Sequence, residues 1–367
     1  MTSEYGPQIA AALEQVVRPG ASVLDLGGDF AQRAVLACRS GATRVTSVQS
    51  TASRPIAHAL ATANGCDQRI ELVASVEVAT ADTGPVDVIL AEAHGGFVLY
   101  GRSLVDALRR VGSAAVTPVP RREQLFVTVL SSPEAYAEHA SPWNDDQWGI
   151  AFGAARHRSL NVPSPFHADQ ALAAMKHLGA PTCWATVDYT AASVHARSLQ
   201  SRVDILALQS GVAHGLVVWS VVELADGIAF EHVGAFFPWL EPATLSVGDR
   251  VALALRVDAV GGSDVWSWTT EIYGQSDEQP RTRFRQSTFF GNMESPARLR
   301  QAESDYQPSL SEAGLIARAA LRMIDDGVTL HDIASRLAND FPATFSESDT
   351  AMETVTRLAW TYTRART

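Results

Sequence analysis

Residues 86–101 read VDVILAEAHGGFVLYG. An apolar run ends in one carboxylate, Glu92, followed by His94, two glycines and an aromatic residue. A carboxylate can accept hydrogen bonds from a nitrogen, and an imidazole titrates near neutrality and can take a proton. Most strand-end carboxylates simply begin a loop in water, so this segment alone leaves both readings open. A second candidate lies earlier, at Asp25-Leu26-Gly27-Gly28, where small residues let the backbone approach a ligand closely.

Both candidates need elements to hold them. Pro7 suits a first helical turn, and Ile9, Leu13 and Val17 follow at helical spacing. SVLDL (22–26) is a β-rich apolar run, GGDF (27–30) a turn, and QRAVLACRS (32–40) a helix stopped by Gly41. RVTSVQ (44–49), a helix near 55–63, IELVAS (70–75), VDVILA (86–91) and the helix SLVDALRRV (103–111) continue the alternation. Strands alternating with helices predict a parallel doubly wound sheet, which binds ligands at the carboxyl ends of its strands. Both candidates fall at such ends.

From about 120 to 295 the pattern becomes mostly β, through EQLFVTVL, CWATVDY, RVDILALQ, HGLVVWSVVEL, RVALALRVDAV and SDVWSWTTEIY. Such a series predicts a sandwich or barrel. Trp143, Trp148, Trp219, Trp239, Trp266 and Trp268 fall mostly in this region and read as its core. SPFHADQALAAMKHL (164–178) interrupts it and reads as an inserted helix. After the linker 297–312, Ile316, Ala320, Met323 and Ile324 make a helical stripe. Thr329 with Asp332 forms a capping-box variant, Ile333 and Leu337 line the helix that follows, and a last helix runs near 349–362.

Bulk properties bound the reading. The chain has 367 residues, 46% of them hydrophobic, and a formal net charge of -11. That length suggests two or three domains. No apolar run reaches the roughly 18 residues a bilayer span needs, and MTSEYGPQ lacks the basic and apolar parts of a secretory signal. Cys38, Cys66 and Cys183 are few and widely spaced, which predicts neither a disulfide framework nor a metal site and fits a reducing cytoplasm. The negative charge opposes nucleic acid as a partner.

With the alternation in place, VLDLGGDFAQRAVLACRSGATRVTSV (23–48) resembles the first motif of class I S-adenosylmethionine (SAM) methyltransferases. More narrowly, it resembles that of the protein arginine methyltransferases. SVEV (75–78), the stretch around Glu92, PWNDDQWGIAF (142–152) and EHVGAFFPWLEPATLSVGDRV (231–251) continue the resemblance across roughly residues 5–295. It implies a Rossmann-like SAM domain over 1–118 and a β-barrel or sandwich substrate domain over 119–296. It also implies a helical dimerisation arm at about 155–180, through which such enzymes form head-to-tail dimers. Asp25, Gly27 and Gly28 would hold the methionine part of SAM. Gln49 stands where the family's ribose-binding acid does, and Val76 and Glu77 stand at its adenine-reading positions. Glu92 falls on the glutamate of the substrate loop, and His232 on the histidine of the threonine-histidine-tryptophan loop.

The departures carry information. Asp29 and Ala31 replace glycines of the turn, Gln49 offers an amide without charge assistance, Val233 replaces the tryptophan, and little chain precedes the first helix. The family's second substrate glutamate, nine residues after the first, is Gly101. Two carboxylates suit a guanidinium; one suits a smaller nitrogen. The expected mechanism has Glu92 orient an amine or imidazole nitrogen while His94 or His232 takes its proton. For His232, a hydrogen-bonded barrel histidine is the competing reading; for His94, a loop side chain in water.

Residues 305–367 resemble the small helical part of the peptide-recognition domain named for the coenzyme PQQ synthesis protein D family, which captures leader segments of precursor peptides. Ten acidic against six basic residues over 301–367 argue against a DNA-binding helix-turn-helix; a plain helical cap is the remaining alternative. Together these readings predict a homodimeric SAM-dependent N-methyltransferase of a ribosomally made natural-product precursor, of the kind that methylates the terminal amine of daptides. A non-catalytic peptide-binding scaffold with a degenerate cofactor pocket and a small-molecule methyltransferase are the alternatives.

Overall fold

The computed structural model describes residues 5–82, 84–92, 98–111, 116–143, 149–165, 175–190, 198–260, 263–291, 306–345 and 348–363. The chain divides into two compact units, Met1–Met293 and Glu294–Thr367, so the parallel sheet and the β-rich region share one unit. Among the described residues no helix is long and apolar enough to cross a membrane.

The first unit opens with α1 (Gly6–Val16), then β1 (Ser22–Asp25), a short 3-10 turn (Asp29–Ala31), α2 (Gln32–Arg39), β2 (Arg44–Val48), α3 (Arg54–Ala63), β3 (Ile70–Val73), α4 (Val76–Asp82), β4 (Val88–Leu90), α5 (Val98–Val111) and β5 (Thr117–Val119). The five strands are parallel and ordered β3-β2-β1-β4-β5. Alternation along each short strand loads both faces. Val23, Val45, Val88 and Leu90 pack with Ala12, Ala34, Ala37, Ala57 and Ala61 of α1–α3. Leu24 and Ile89 pack with Ala79 of α4 and with Leu104 and Ala107 of α5. The alanines let the helices lie close to the sheet. The order reverses between β1 and β4, and that switch point opens the crevice where doubly wound sheets bind ligands.

The β-rich part begins at β6 (Arg122–Ser131), followed by α6 (Pro133–Ala140), α7 (Gly153–Ser159), β7 (Ser164–Pro165), β8 (Lys176–His177), β9 (Thr182–Asp188), β10 (Ser198–Leu206), β11 (Gly211–Ala225), β12 (Ile228–Leu245), β13 (Arg250–Val260), β14 (Ser263–Tyr273), β15 (Thr282–Ser287) and α8 (Thr288–Gly291). One antiparallel sheet runs β7-β12-β11-β6-β8, with β9 also on β6; the other runs β10-β13-β14-β15. Trp184, Phe237, Trp239, Trp266 and Trp268 fill the space between them, and Trp219 is buried in a neighbouring cluster. Trp143 is half-buried, and Trp148 lies outside the described residues. The predicted inserted helix over 164–178 is corrected at both ends. Ser164 and Pro165 pair with Phe236 and Ala235, and Lys176 and His177 pair with Ser131 and Leu130; residues 166–174 lie outside the described residues.

The junction of parallel and antiparallel sheets buries an acid. Glu123 of β6 is opposite Val187 and Val222 and is 7% exposed. Tyr189 Oη donates to its Oε2 at 3.2 Å. Burial pushes the Glu123 carboxyl up to about 7 from an ordinary 4.5. The folded state therefore holds the proton more tightly than the unfolded chain does. Stability tied to Glu123 is full below about pH 4.5 and is lost as pH rises towards 7. Glu123→Gln will match wild type near pH 5 and exceed it by about 2–3 kcal/mol near pH 8. Chemical denaturation at the two pH values checks this, and an equal gap at both would contradict it.

The second unit contains three helices among its described residues: α9 (Glu312–Asp325), α10 (Leu330–Asp340) and α11 (Ser348–Tyr362). Ile316, Ala320, Ile333, Leu337, Val355 and Leu358 form its core. Thr329 Oγ1 accepts from Asp332 N at 3.2 Å and donates to Asp332 Oδ2 at 2.8 Å. Thr329→Ala will therefore destabilise α10 by about 1 kcal/mol, seen as faster amide exchange along that helix. No strand occurs among the described residues of this unit.

Candidate functional site

Five of the predicted site residues meet at the carboxyl edge of β1, β2 and β4. β1 ends at Asp25, which is fully buried. Its Oδ1 accepts from Gly27 N at 3.4 Å and from Arg33 Nε and Nη2 at 3.2 Å each; its Oδ2 accepts from Ser47 Oγ at 2.7 Å. These donors are protein groups, so Asp25 anchors the turn from within. Arg33 Nη2 also donates to Gly27 O, which ties the first turn of α2 to the loop.

The glycines are required where they stand. Gly27 has φ +94°, and a Cβ there would lie 2.2 Å from Val48 O. Gly28 has φ +104°, and a Cβ would sit 3.3 Å from Glu92 Oε2 and 3.4 Å from Arg33 Nη2. Glu92 thus faces the Gly27–Gly28 turn across the switch point, beside a guanidinium. Ala31, which replaces a glycine, and Phe30 before it adopt left-handed backbone, φ +67° and +55°, at a cost of order 1 kcal/mol or more each.

Gln49 follows β2 and is buried. Its Nε2 donates to Gly28 O and to Ser47 Oγ, both at 3.1 Å. Its Oε1 accepts no hydrogen bond from a described residue. Val76 is half-buried at the start of α4, one strand further along. Glu77 beside it is exposed and pairs through Oε1 with Arg110 Nη2 at 3.1 Å. Its own backbone N–H, Ser75 and Arg110 hold its carboxyl below the usual range.

His232 comes from the antiparallel part. It pairs with Ser220 across a register shift between Val218 and Ser220. Gly234 makes that crossing possible, since a Cβ there would lie 2.0 Å from Val218 O. The His232 ring lies 6.3 Å from that of Tyr5, just before α1, and Tyr5 stacks on Phe230 at 4.0 Å. His94 lies outside the described residues.

The sequence reading missed Arg33 and Ser47. Arg33 had a signal: it sits four residues before Ala37 on the buried stripe of α2, where an unpaired guanidinium would not be tolerated. Ser47 is a polar position in a strand covered on both faces, and such groups need a partner.

With this geometry established, comparison with known proteins places the fold. The chain has the architecture of the protein arginine methyltransferases: a Rossmann-like parallel sheet, an antiparallel β domain and, here, C-terminal helices. No protein-family model matches the chain. It is 24% identical over 213 residues to protein arginine N-methyltransferase 1 of Dictyostelium discoideum, a match spanning 57% of this chain and 61% of that protein. A chain of the Trypanosoma brucei PRMT1 enzyme–prozyme heterotetrameric complex with AdoHcy superposes with a TM-score of 0.66 at 17% identity. Arabidopsis thaliana protein arginine methyltransferase 10, in an open conformation, gives 0.61 at 18%. Each alignment covers 77% of this chain and 93% of the other. At these identities the likeness establishes the fold.

Proposed function

We propose that this chain is a SAM-dependent N-methyltransferase acting on a peptide, with an amine or imidazole nitrogen as acceptor. The observation that carries the reading is Glu92 at the switch point, its Oε2 3.3 Å from where a Cβ on Gly28 would stand. The surrounding residues fit SAM. The glycine turn lets a ligand approach the backbone, Gln49 offers an acceptor for ribose hydroxyls, and Val76 and Glu77 stand at the adjoining strand end for the adenine amino group. When bound, SAM supplies an electrophilic methyl group. Glu92 accepts a hydrogen bond from the acceptor nitrogen, orients its lone pair and offsets the positive charge that develops. His94 and His232 are the candidates to take the released proton. Gly101 in place of a second carboxylate disfavours a guanidinium. A ribosomal precursor as substrate, its leader held by residues 305–367, homodimerisation through the 155–180 segment and a cytoplasmic site complete the proposal.

A specific observation favours one other reading, a non-catalytic peptide-binding scaffold. The buried Arg33 guanidinium already serves Asp25 and the Gly27 carbonyl, the groups that shape the turn. Calorimetry separates the two. Micromolar binding of SAM, followed by gain of a CH2 unit on a candidate peptide by mass spectrometry, supports the enzyme; absence of heat at high SAM concentration supports the scaffold.

A further inference from the structure

The outer face of the β10-β13-β14-β15 sheet carries five arginines, and they divide into two kinds. Arg250 pairs with Asp204 at 3.0 Å and lies over the Tyr273 ring; Arg256 pairs with Asp258 at 2.6 Å and Arg283 with Glu271 at 3.0 Å. Arg202 and Arg285 are exposed, and their side chains make no ion pair or hydrogen bond with any described residue. Register places these two in one row across the sheet: Arg202 opposite Ala254, Ala254 opposite Thr269, Thr269 opposite Arg285. The small side chains between them leave a trough of about 910 Å³. Phe289 and Phe290 of α8, 47% and 54% exposed, stand at its border.

We propose that this trough is a binding site for an extended acidic peptide segment with carboxylates at positions i and i+4 and an apolar residue nearby. The spacing follows from the sheet. Three inter-strand steps of about 4.8 Å separate the Arg202 and Arg285 backbones by about 14 Å, and four residues of extended chain span about 13 Å. Residues i and i+4 of such a chain point to the same side, so both carboxylates can reach down to the two guanidiniums, each in a forked, charge-assisted contact. The exposed phenylalanines offer a surface for an apolar side chain at one edge. A nucleic acid fits less well. Its evenly spaced phosphates would run past the arginine row and meet Asp204 and Glu271 in the adjoining one.

Fluorescence polarisation of the full chain at low salt tests this, using labelled Glu-Ala-Tyr-Ala-Glu and its isomer Glu-Glu-Ala-Tyr-Ala. The first peptide will bind saturably and the isomer at least about fivefold more weakly. Arg202→Gln with Arg285→Gln will reduce binding of the first by about tenfold or more, and added salt will weaken it. Arg202→Lys with Arg285→Lys, which keeps the charge but removes the fork, will fall between. No saturable binding, equal binding of the isomer, an unaffected double glutamine variant, or tighter binding of an oligothymidylate would each overturn the proposal. Both side chains are solvent-exposed, so unchanged melting temperatures should accompany the loss. The outcome does not depend on SAM binding.

Discussion

Glu92→Gln will lower the rate of methyl transfer by about 10²–10³-fold while leaving SAM affinity within about threefold. The amide keeps the volume and one acceptor oxygen, so the turn beside Gly28 is preserved. What is lost is the negative charge that, in the proposed mechanism, offsets the cation developing on the acceptor nitrogen, and that charge matters most at the transition state. Glutamine also brings an NH2 that can donate towards the lone pair, which misorients the acceptor. The measurement is single-turnover methyl transfer to the peptide identified by mass spectrometry, beside calorimetry with SAM. A variant keeping more than about a tenth of wild-type turnover would remove Glu92 from the mechanism. Loss of SAM binding itself would instead assign Glu92 to cofactor support.

The second large effect concerns stability. Arg33→Met will destabilise the first unit by about 3–5 kcal/mol, because it strands a fully buried carboxylate. Asp25 would keep only Ser47 Oγ and Gly27 N as donors. In a unit of this size the loss corresponds to roughly 5–8 °C in melting temperature. Pairing the change with Asp25→Asn will recover most of the loss, since the amide no longer brings an uncompensated charge into the core. Differential scanning calorimetry of the two single variants and the double gives the coupling. A melt within a degree or two of wild type for Arg33→Met would show that the buried pair does not hold the turn.

Arg33 also marks the limit of what was legible. The α/β alternation over 7–111, the β series after it and the cap of α10 follow from local periodicity and turn chemistry, and the structure shows them, whereas α4 and β5 went unread. Thr329 caps α10 as its spacing with Asp332 predicted. The segment 164–178 was misread because HADQALAAMKHL has helical composition, whereas its ends are captured by strands β12 and β6, partners more than 40 residues away in sequence. Long-range pairing overrides local propensity there.

The sequence by itself determined which residues stand at strand ends: the order of short apolar runs and glycine turns puts Asp25, Gln49 and Glu92 there, because period and turn chemistry are local. Only the tertiary structure decided which of those ends are neighbours and what charge they meet. Parallel pairing of β4 against β1 sets Glu92 against Gly28, and the seating of α2 drives Arg33 into the same turn. Likewise, antiparallel register aligned Arg202 with Arg285 across four strands. Those juxtapositions depend on contacts between residues far apart in the chain, which no local pattern records.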